Sequence, residues 1–179
     1  MKKYLFIILS ILLCLTGCSV YDKQDSANAV AMDFITSFKN QDFAHMYSIT
    51  KDMAPYMQNV YNPNQELNKK LFKALSENME YTITNTEIKG DEANVFYHLR
   101  TLDTAKLMAG ILTALDEDPN ADINEVFEKQ IVLCPRIDKD TVINMERLGN
   151  TWIIESNVGI YDDLCGGYIQ FCYNAGFVK

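Results

Sequence analysis

The chain has 179 residues, with 16 Lys and Arg against 24 Asp and Glu and a formal net charge of −8. That length suits one domain with an ample hydrophobic core and leaves little room for two. The acidity excludes nucleic acid as a partner, because such binding needs a basic surface to displace counterions, and it excludes a polybasic attachment to anionic lipid.

The chain opens with Lys2 and Lys3, followed by Tyr4 to Leu15, apolar except for Ser10. This is the pattern of a secretory signal, and twelve residues fall short of the roughly 20 that span a bilayer. The stretch ends in Leu15-Thr16-Gly17-Cys18, which resembles the lipobox of bacterial lipoproteins of the Gram-positive type. The resemblance implies cleavage between Gly17 and Cys18 and a diacylglyceryl group on the Cys18 thiol. Residues 1–17 would be the signal peptide, 18–25 a lipidated N-terminus and short tether, and 26–179 a single domain. Two acyl chains anchor a protein stably where one does not, so the expected location is the outer, extracytoplasmic face of the cell membrane. Cys14 would leave with the signal. Removing Lys2 and Lys3 leaves 14 Lys and Arg against 24 Asp and Glu in the mature chain, a formal charge of −10.

Asp25 or Ser26 is suited to cap a helix whose apolar face is Ala27, Val30, Ala31, Phe34, Ile35 and Phe38. Asn40-Gln41-Asp42 punctuates it, and a short second helix follows through Phe43, Met46, Tyr47 and Ile49. Residues 51–62 read as looser chain. Asn62-Pro63 is placed to start a third helix that buries Leu67, Leu71, Phe72 and Leu75. The period then changes to two: Tyr81 to Ile88, the turn Lys89-Gly90-Asp91-Glu92, and Ala93 to Thr101 form an antiparallel hairpin. Asp103 or Thr104 caps a helix through Leu107, Met108, Ile111, Leu112 and Leu115. A polar loop, Asp116 to Asp122, leads to a shorter helix over Ile123 to Glu128. Strand character returns weakly over Ile131 to Ile137, better over Thr141 to Leu148, and after Leu148-Gly149-Asn150 in Thr151 to Glu155. Gly159 to Asn174 reads as one final helix closed by Asn174-Ala175-Gly176, with Gly166-Gly167 weakening it.

The stretch from Ala29 to Phe43 and the hairpin from Val142 to Ile154, with Trp152 on its second strand, resemble the nuclear transport factor 2-like, or cystatin-like, extracytoplasmic lipoproteins of unknown function. The resemblance implies an α+β fold: N-terminal helices packed on a curved antiparallel sheet, a cone with a concave face, here with a helical excursion between strands and a C-terminal helix. It implies no single activity, since such a fold hosts enzymes, binders and structural modules.

Cys134, Cys165 and Cys172 remain after Cys18 is used, an odd number for an exported protein. They read as three unpaired core residues, with a bridge from Cys134 to either partner as the alternative. Cys165 and Cys172, seven apart, are too distant on a continuous helix to bond and could pair only if Gly166-Gly167 breaks it.

No arrangement of residues specifies catalysis, and the chain reads as a protein that is not an enzyme. A cone-fold isomerase or dehydratase needs a base facing a Tyr or Asp donor, which singles out Tyr81, His98 and Trp152 as pocket candidates. Alternation places His98 with Phe96 and Arg100 on one sheet face and Val95, Tyr97 and Leu99 on the other, without saying which lines the cone. Asp116 to Phe127 resembles a calcium loop, but Ala121 stands where the turn wants Gly and Phe127 where a bidentate Glu is needed. No cofactor and no metal are therefore expected. The expected partners are the membrane, through Cys18, and an envelope protein or small apolar ligand held by a binding module. An accessory subunit of an envelope complex is the alternative, and a two-lobed solute-binding protein fits the length poorly.

Overall fold

The computed structural model describes residues 23–51 and 56–176. Gly17, Cys18 and the whole of the expected signal peptide lie outside the described residues. Among those described, no helix is long and apolar enough to cross a membrane.

Residues 23–39 are helical (α1), so Asp25 and Ser26 lie inside the first helix and do not cap it. Ser26 instead turns its hydroxyl back to the Lys23 carbonyl at 2.9 Å. Ala27, Ala31, Phe34, Ile35 and Phe38 are buried at 1% exposure or less, the face that the helical spacing predicts. Gln41, with φ +58°, turns the chain into α2 (Phe43–Ser48), whose first turn is capped by the Asp42 carboxylate. After a 3-10 turn over Tyr56–Asn59 comes α3 (Glu66–Asn78). It starts later than Asn62-Pro63 suggests. The Asn62 side chain accepts from the Asn64 N–H, a local turn that competes with helix for the same donors.

Four strands form one antiparallel sheet in chain order: β1 (Glu80–Lys89), β2 (Glu92–Leu102), β3 (Arg136–Leu148) and β4 (Thr151–Ile154). The sheet is a meander interrupted by α4 (Thr104–Glu117) and α5 (Ile123–Leu133). The register of β1 on β2 shifts between Ile83 and Asn85. Such a bulge bends and twists the strand and resets its alternation, so Tyr81 and Ile83 point inward before it and Thr86 and Ile88 after it. Ile131 to Leu133 completes α5 and is not strand. β3, in turn, runs unbroken from Arg136 and pairs with the whole of β2 over Arg136 to Glu146.

The inner face of the sheet carries Val95, Tyr97, Leu99, Ile143, Met145, Trp152 and Ile154, each at 2% exposure or less. α1 crosses this face: Thr86 bonds Asn28, Thr36 and Tyr81 share a 3.3 Å hydrogen bond, and the Trp152 indole N–H reaches Ser26 at 3.0 Å. At the β4 edge the Ile154 N–H donates to the Ile49 carbonyl and the Lys51 N–H to the Ile154 carbonyl. This short parallel strip covers an edge that would otherwise offer free backbone groups. The α+β class, the packing of the early helices on an antiparallel sheet and the helical excursion are as expected.

The expected final helix is two, α6 (Val158–Leu164) and α7 (Tyr168–Asn174). The break has a steric cause. Gly166 has φ +62°, and a Cβ there would run into the Leu102 carbonyl oxygen. The Thr104 N–H donates to the Gly166 carbonyl, and the buried Thr104 hydroxyl lies 2.7 Å from both the Cys165 and Gly166 carbonyl oxygens. The α6–α7 turn is thereby pinned to the β2–α4 junction.

Candidate functional site

The inner sheet face is filled with large side chains, so the expected concave site is occupied by the protein's own core. Several hollows lie elsewhere among the described residues, two of them of about 350 and 370 Å³, beside α2 and on the outer sheet face, and a smaller, mainly apolar recess lies among four helices. Leu67 and Leu71 come from α3, Met108 and Ile111 from α4, Ile123 and Phe127 from α5, and Tyr168 from α7, with Gln65 and Asn68 at its polar edge. These positions recur at spacings of three or four, so each helix turns one stripe inward. The hollow measures about 150 Å³.

Its walls are set by caps and ties at the helix ends. Asp103 accepts from the Lys106 N–H at 3.0 Å and starts α4. Asp122 accepts from the Asn124 N–H at 2.8 Å and starts α5, and these donors hold its carboxyl below the usual carboxylate range. Lys70 of α3 reaches Glu128 of α5 at 2.8 Å. Behind the recess, Phe72 packs in a cluster with Phe38, Phe43, Tyr61 and Tyr168, and burial pushes the Tyr168 hydroxyl pKa up. Around the rim, residues 104–133 carry Asp116, Glu117, Asp118, Asp122, Glu125 and Glu128 against Lys106 and Lys129. Exposed apolar residues also stand on this hairpin: Ile123, Leu112 (50% exposed), Val132 (82%) and Leu133. Leu112 was expected on the buried face of its helix, but it points to solvent.

The acidic loop that resembles a calcium site uses its oxygens locally, Asp118 on the Asn120 N–H and Asp122 on α5. Among the described residues no group of three His, Cys, Asp or Glu side chains is placed to hold a metal.

Of the three pocket candidates, Tyr81 and His98 both border a hollow of about 200 Å³ with Glu80, Thr82, Arg100 and Asp138, and Trp152 does not join them. Trp152 is 2% exposed and sits on the inner face against α1. Tyr81 also faces inward, to Thr36. His98 is on the outer face, paired with Asp140 across the strands. Its Nδ1 lies 2.8 Å from Asp140 and its Nε2 3.3 Å from Asp138. The Asp140 hydrogen bond, helped by Asp138, raises the ring's pKa. Carboxylates thus flank both ring nitrogens on the outer sheet face. His45 likewise pairs with Asp33 at 2.7 Å, joining α2 to α1, and its pKa is also raised.

Cys134, Cys165 and Cys172 are free thiols. Cys165 is completely buried, 3.9 Å from the Met57 sulfur, and burial pushes its pKa well up, which makes it a poor nucleophile.

The recess was missed in the sequence because Leu67, Leu71, Met108 and Ile111 were assigned to the apolar faces of separate helices, and Ile123, Phe127 and Tyr168 to none. Met108, Ile123 and Phe127 could have been suspected together only by knowing that α4 and α5 pack against α3.

No family model and no curated protein matches the chain. Among solved structures it is similar to a candidate lipoprotein (ycdA) from Bacillus subtilis, at 14% identity and a TM-score of 0.47 over 82% of this chain. The match covers 57% of that protein, so this chain spans little more than half its length. It is also similar to a SEC-C motif containing protein from Rhodopseudomonas palustris, at 11% identity and a TM-score of 0.38, over 73% of this chain and 76% of that one. A third likeness is to a candidate dehydratase of the NTF2-like family from Streptomyces avermitilis, at 14% identity and a TM-score of 0.36, over 74% of this chain and 92% of that one. At these identities and TM-scores the likenesses carry no argument about activity.

Proposed function

We propose that this chain is a lipoprotein held on the outer face of the cell membrane through Cys18, and that its domain is a protein-binding module. The recess among α3, α4, α5 and α7 receives one apolar side chain of an envelope partner. The observation that carries this reading is the size of the recess. Small-molecule sites usually enclose about 300–1,000 Å³, whereas a dry cavity near 150 Å³ takes something the size of benzene. That volume suits a Phe or Leu anchor better than a whole ligand. The acidic rim supplies charge complementarity for basic residues flanking that anchor, and such complementarity steers encounter more than it adds affinity. The exposed Leu112, Ile123, Val132 and Leu133 extend the contact beyond the anchor.

The test is photocrosslinking in the native host from a benzophenone side chain at Ile123, with Thr84 on the outer sheet face as control. We expect one discrete adduct from position 123 that disappears when Met108→Trp fills the recess. A crosslink indifferent to that filling would overturn the reading. A small molecule seen by native mass spectrometry on the wild type and lost from Met108→Trp would also overturn it, since the occupant would then not be a protein. Lipid attachment is tested separately: Cys18→Ala should lose the diacylglyceryl mass and leave the membrane fraction, and retained lipid would sink that part.

A further inference from the structure

We infer that β1 is an interaction edge for a second copy of this chain. The two β1 strands pair antiparallel about a two-fold axis that passes between Thr84 and Asn85 and beside Met32. The inference does not depend on the recess.

The two edges of the sheet differ. The β4 edge is covered by the strip at residues 49–51, whereas among the described residues no strand lies beyond β1. β1 has 10 residues, about 33 Å at strand rise, and no proline to block pairing. An open edge of that length is a template for another strand.

The bulge suits this edge to its own copy. In a regular strand of even length the first and last side chains point to opposite faces. Full-length pairing of two copies about an axis normal to the sheet would then set inward residues against outward ones. In β1, Ile83 pairs with Tyr97 and Asn85 with Phe96, so Thr84 is an extra residue. It shifts the alternation by one, and exposed and half-buried residues follow the same order from either end of the strand. Full-length antiparallel pairing therefore sets Tyr81 against Ile88 and Ile83 against Thr86 on the inner face. On the outer face it sets Glu80 against Lys89 and Thr82 against Glu87. Sliding the copies by two residues would instead put Glu80 opposite Glu87.

α1 carries the same symmetry. Asn28 bonds Thr86 and Thr36 bonds Tyr81, so α1 runs antiparallel to β1 along its open side. Met32 is four residues from each, on the same stripe, and is 48% exposed. It stands near the axis, where it meets its own copy beside Ile83, which a single chain leaves half-buried.

Charge favours this register. Glu80 has Arg136 on it and Arg100 across from it, whereas Lys89 has Glu87 near it and Glu92 across from it. On α1, Lys39 lies at the first end, on the Met79 carbonyl, and Asp25 toward the second. Further from the edge, Asp138 and Asp140 share His98, Lys23 reaches Asp91, Lys51 pairs with Glu146, and Arg147 lies on β3. Antiparallel pairing thus lays a basic surround on an acidic one, and opposite charges across strands favour pairing. An axis normal to the sheet also leaves both α1 N-termini on one side of the pair, which agrees with the anchoring of both chains in one bilayer proposed above.

The experiment is cysteine crosslinking of the full chain in its native host, in a lysate that retains the membranes, oxidised with copper phenanthroline and read on a non-reducing gel. Every protein carries Cys134→Ser, and the one with no added cysteine is the blank. Glu80→Cys/Lys89→Cys should give a reducible homodimer several-fold more strongly than either single variant. Each single thiol stands nine residues, about 30 Å, from its own copy in this register. Met32→Cys alone should crosslink, and Val132→Cys, at 82% exposure, should not. Met32→Glu, which sets two carboxylates at the axis, should lower the yield from the double variant several-fold. The Thr84 control above then reports this homodimer, which Met108→Trp leaves unchanged. Single variants as efficient as the double, an equal yield from Val132→Cys, or indifference to Met32→Glu overturns the pairing. So does the absence of any dimer from the double variant, which would mean that the bulge only shields the edge.

Discussion

The sheet with α1 and the helical end built from α3, α4, α5 and α7 hold their apolar residues differently. In the first, Phe34, Ile35, Tyr97 and Trp152 are all at 2% exposure or less. In the second, Leu67, Met108, Leu115 and Val126 are only partly buried, and Leu112, Val132 and Leu133 are exposed. A sheet face with fixed register forces every second side chain into the same layer, so it closes densely. Helices meeting at several angles fill space less completely, and the recess is the space left between them. The comparison predicts where the molecule resists substitution and where it accepts it.

The largest effects belong to the closed half and to the turn that ties the halves together. Trp152→Ala should destabilise the domain by about 3–5 kcal/mol, read from denaturant unfolding. Gly166→Ala should be at least as damaging, since it combines a positive φ with a Cβ driven onto the Leu102 carbonyl. Gly149→Ala, also at positive φ but with nothing near its Cβ, should lose only about 1–2 kcal/mol. If the two glycine variants unfold alike, the Gly166 contact with Leu102 does not matter and the ends of the molecule are not coupled as described.

Intermediate effects come from adding volume. Val95→Phe in the sheet core should cost about 1–3 kcal/mol through overpacking. Leu71→Phe, beside the recess, has room and should change stability by less than about 1 kcal/mol, while blocking the crosslink from position 123. A large loss of stability in Leu71→Phe would show that the recess is not open space, and the contrast between the halves would fail with it.

The same contrast explains what could be read from the sequence. The α1 face and both hairpins follow from periodicities in which each residue's neighbours are set by local geometry, so Phe34 was legible as core, while Val95 was assigned to a sheet face without its direction and Trp152 to the pocket candidates. The bulge at Thr84 was not legible, and Gly166-Gly167 was legible only as a weak point of one helix, because the deciding causes are tertiary: strand register in one, the approach of the Leu102 carbonyl in the other. Ile131 to Leu133 is rich in strand-forming residues, yet it finishes α5, held by helix hydrogen bonds that propensity does not count. Of the candidate site, Met108 and Ile111 were visible as an apolar stripe, but nothing local distinguishes a stripe that meets a neighbour from one that borders a void. For Tyr81, His98 and Trp152, alternation separated His98 from Tyr97 correctly, while the direction of each face awaited α1.

The smallest expected effect lies on the outer sheet face. The Asp140 and Asp138 carboxylates raise the His98 pKa above its ordinary value near 6.5, so the folded state binds this proton more tightly than the unfolded chain does. By linkage the resulting stabilisation is fully present below the unfolded pKa and is lost as pH rises through the folded one. His98→Gln should therefore melt earlier than the wild type below about pH 6, with the gap closing as the pH rises beyond the raised folded value. Asp140→Asn should remove more of the effect than Asp138→Asn, because the Asp140 hydrogen bond is the largest cause of the shift. All three groups are solvent-exposed, so the shift in melting temperature should be small and should shrink further with added salt. A gap that stays constant with pH, or widens as pH rises, would mean that His98 contributes through packing against Thr82 and Arg100 and not through its charge.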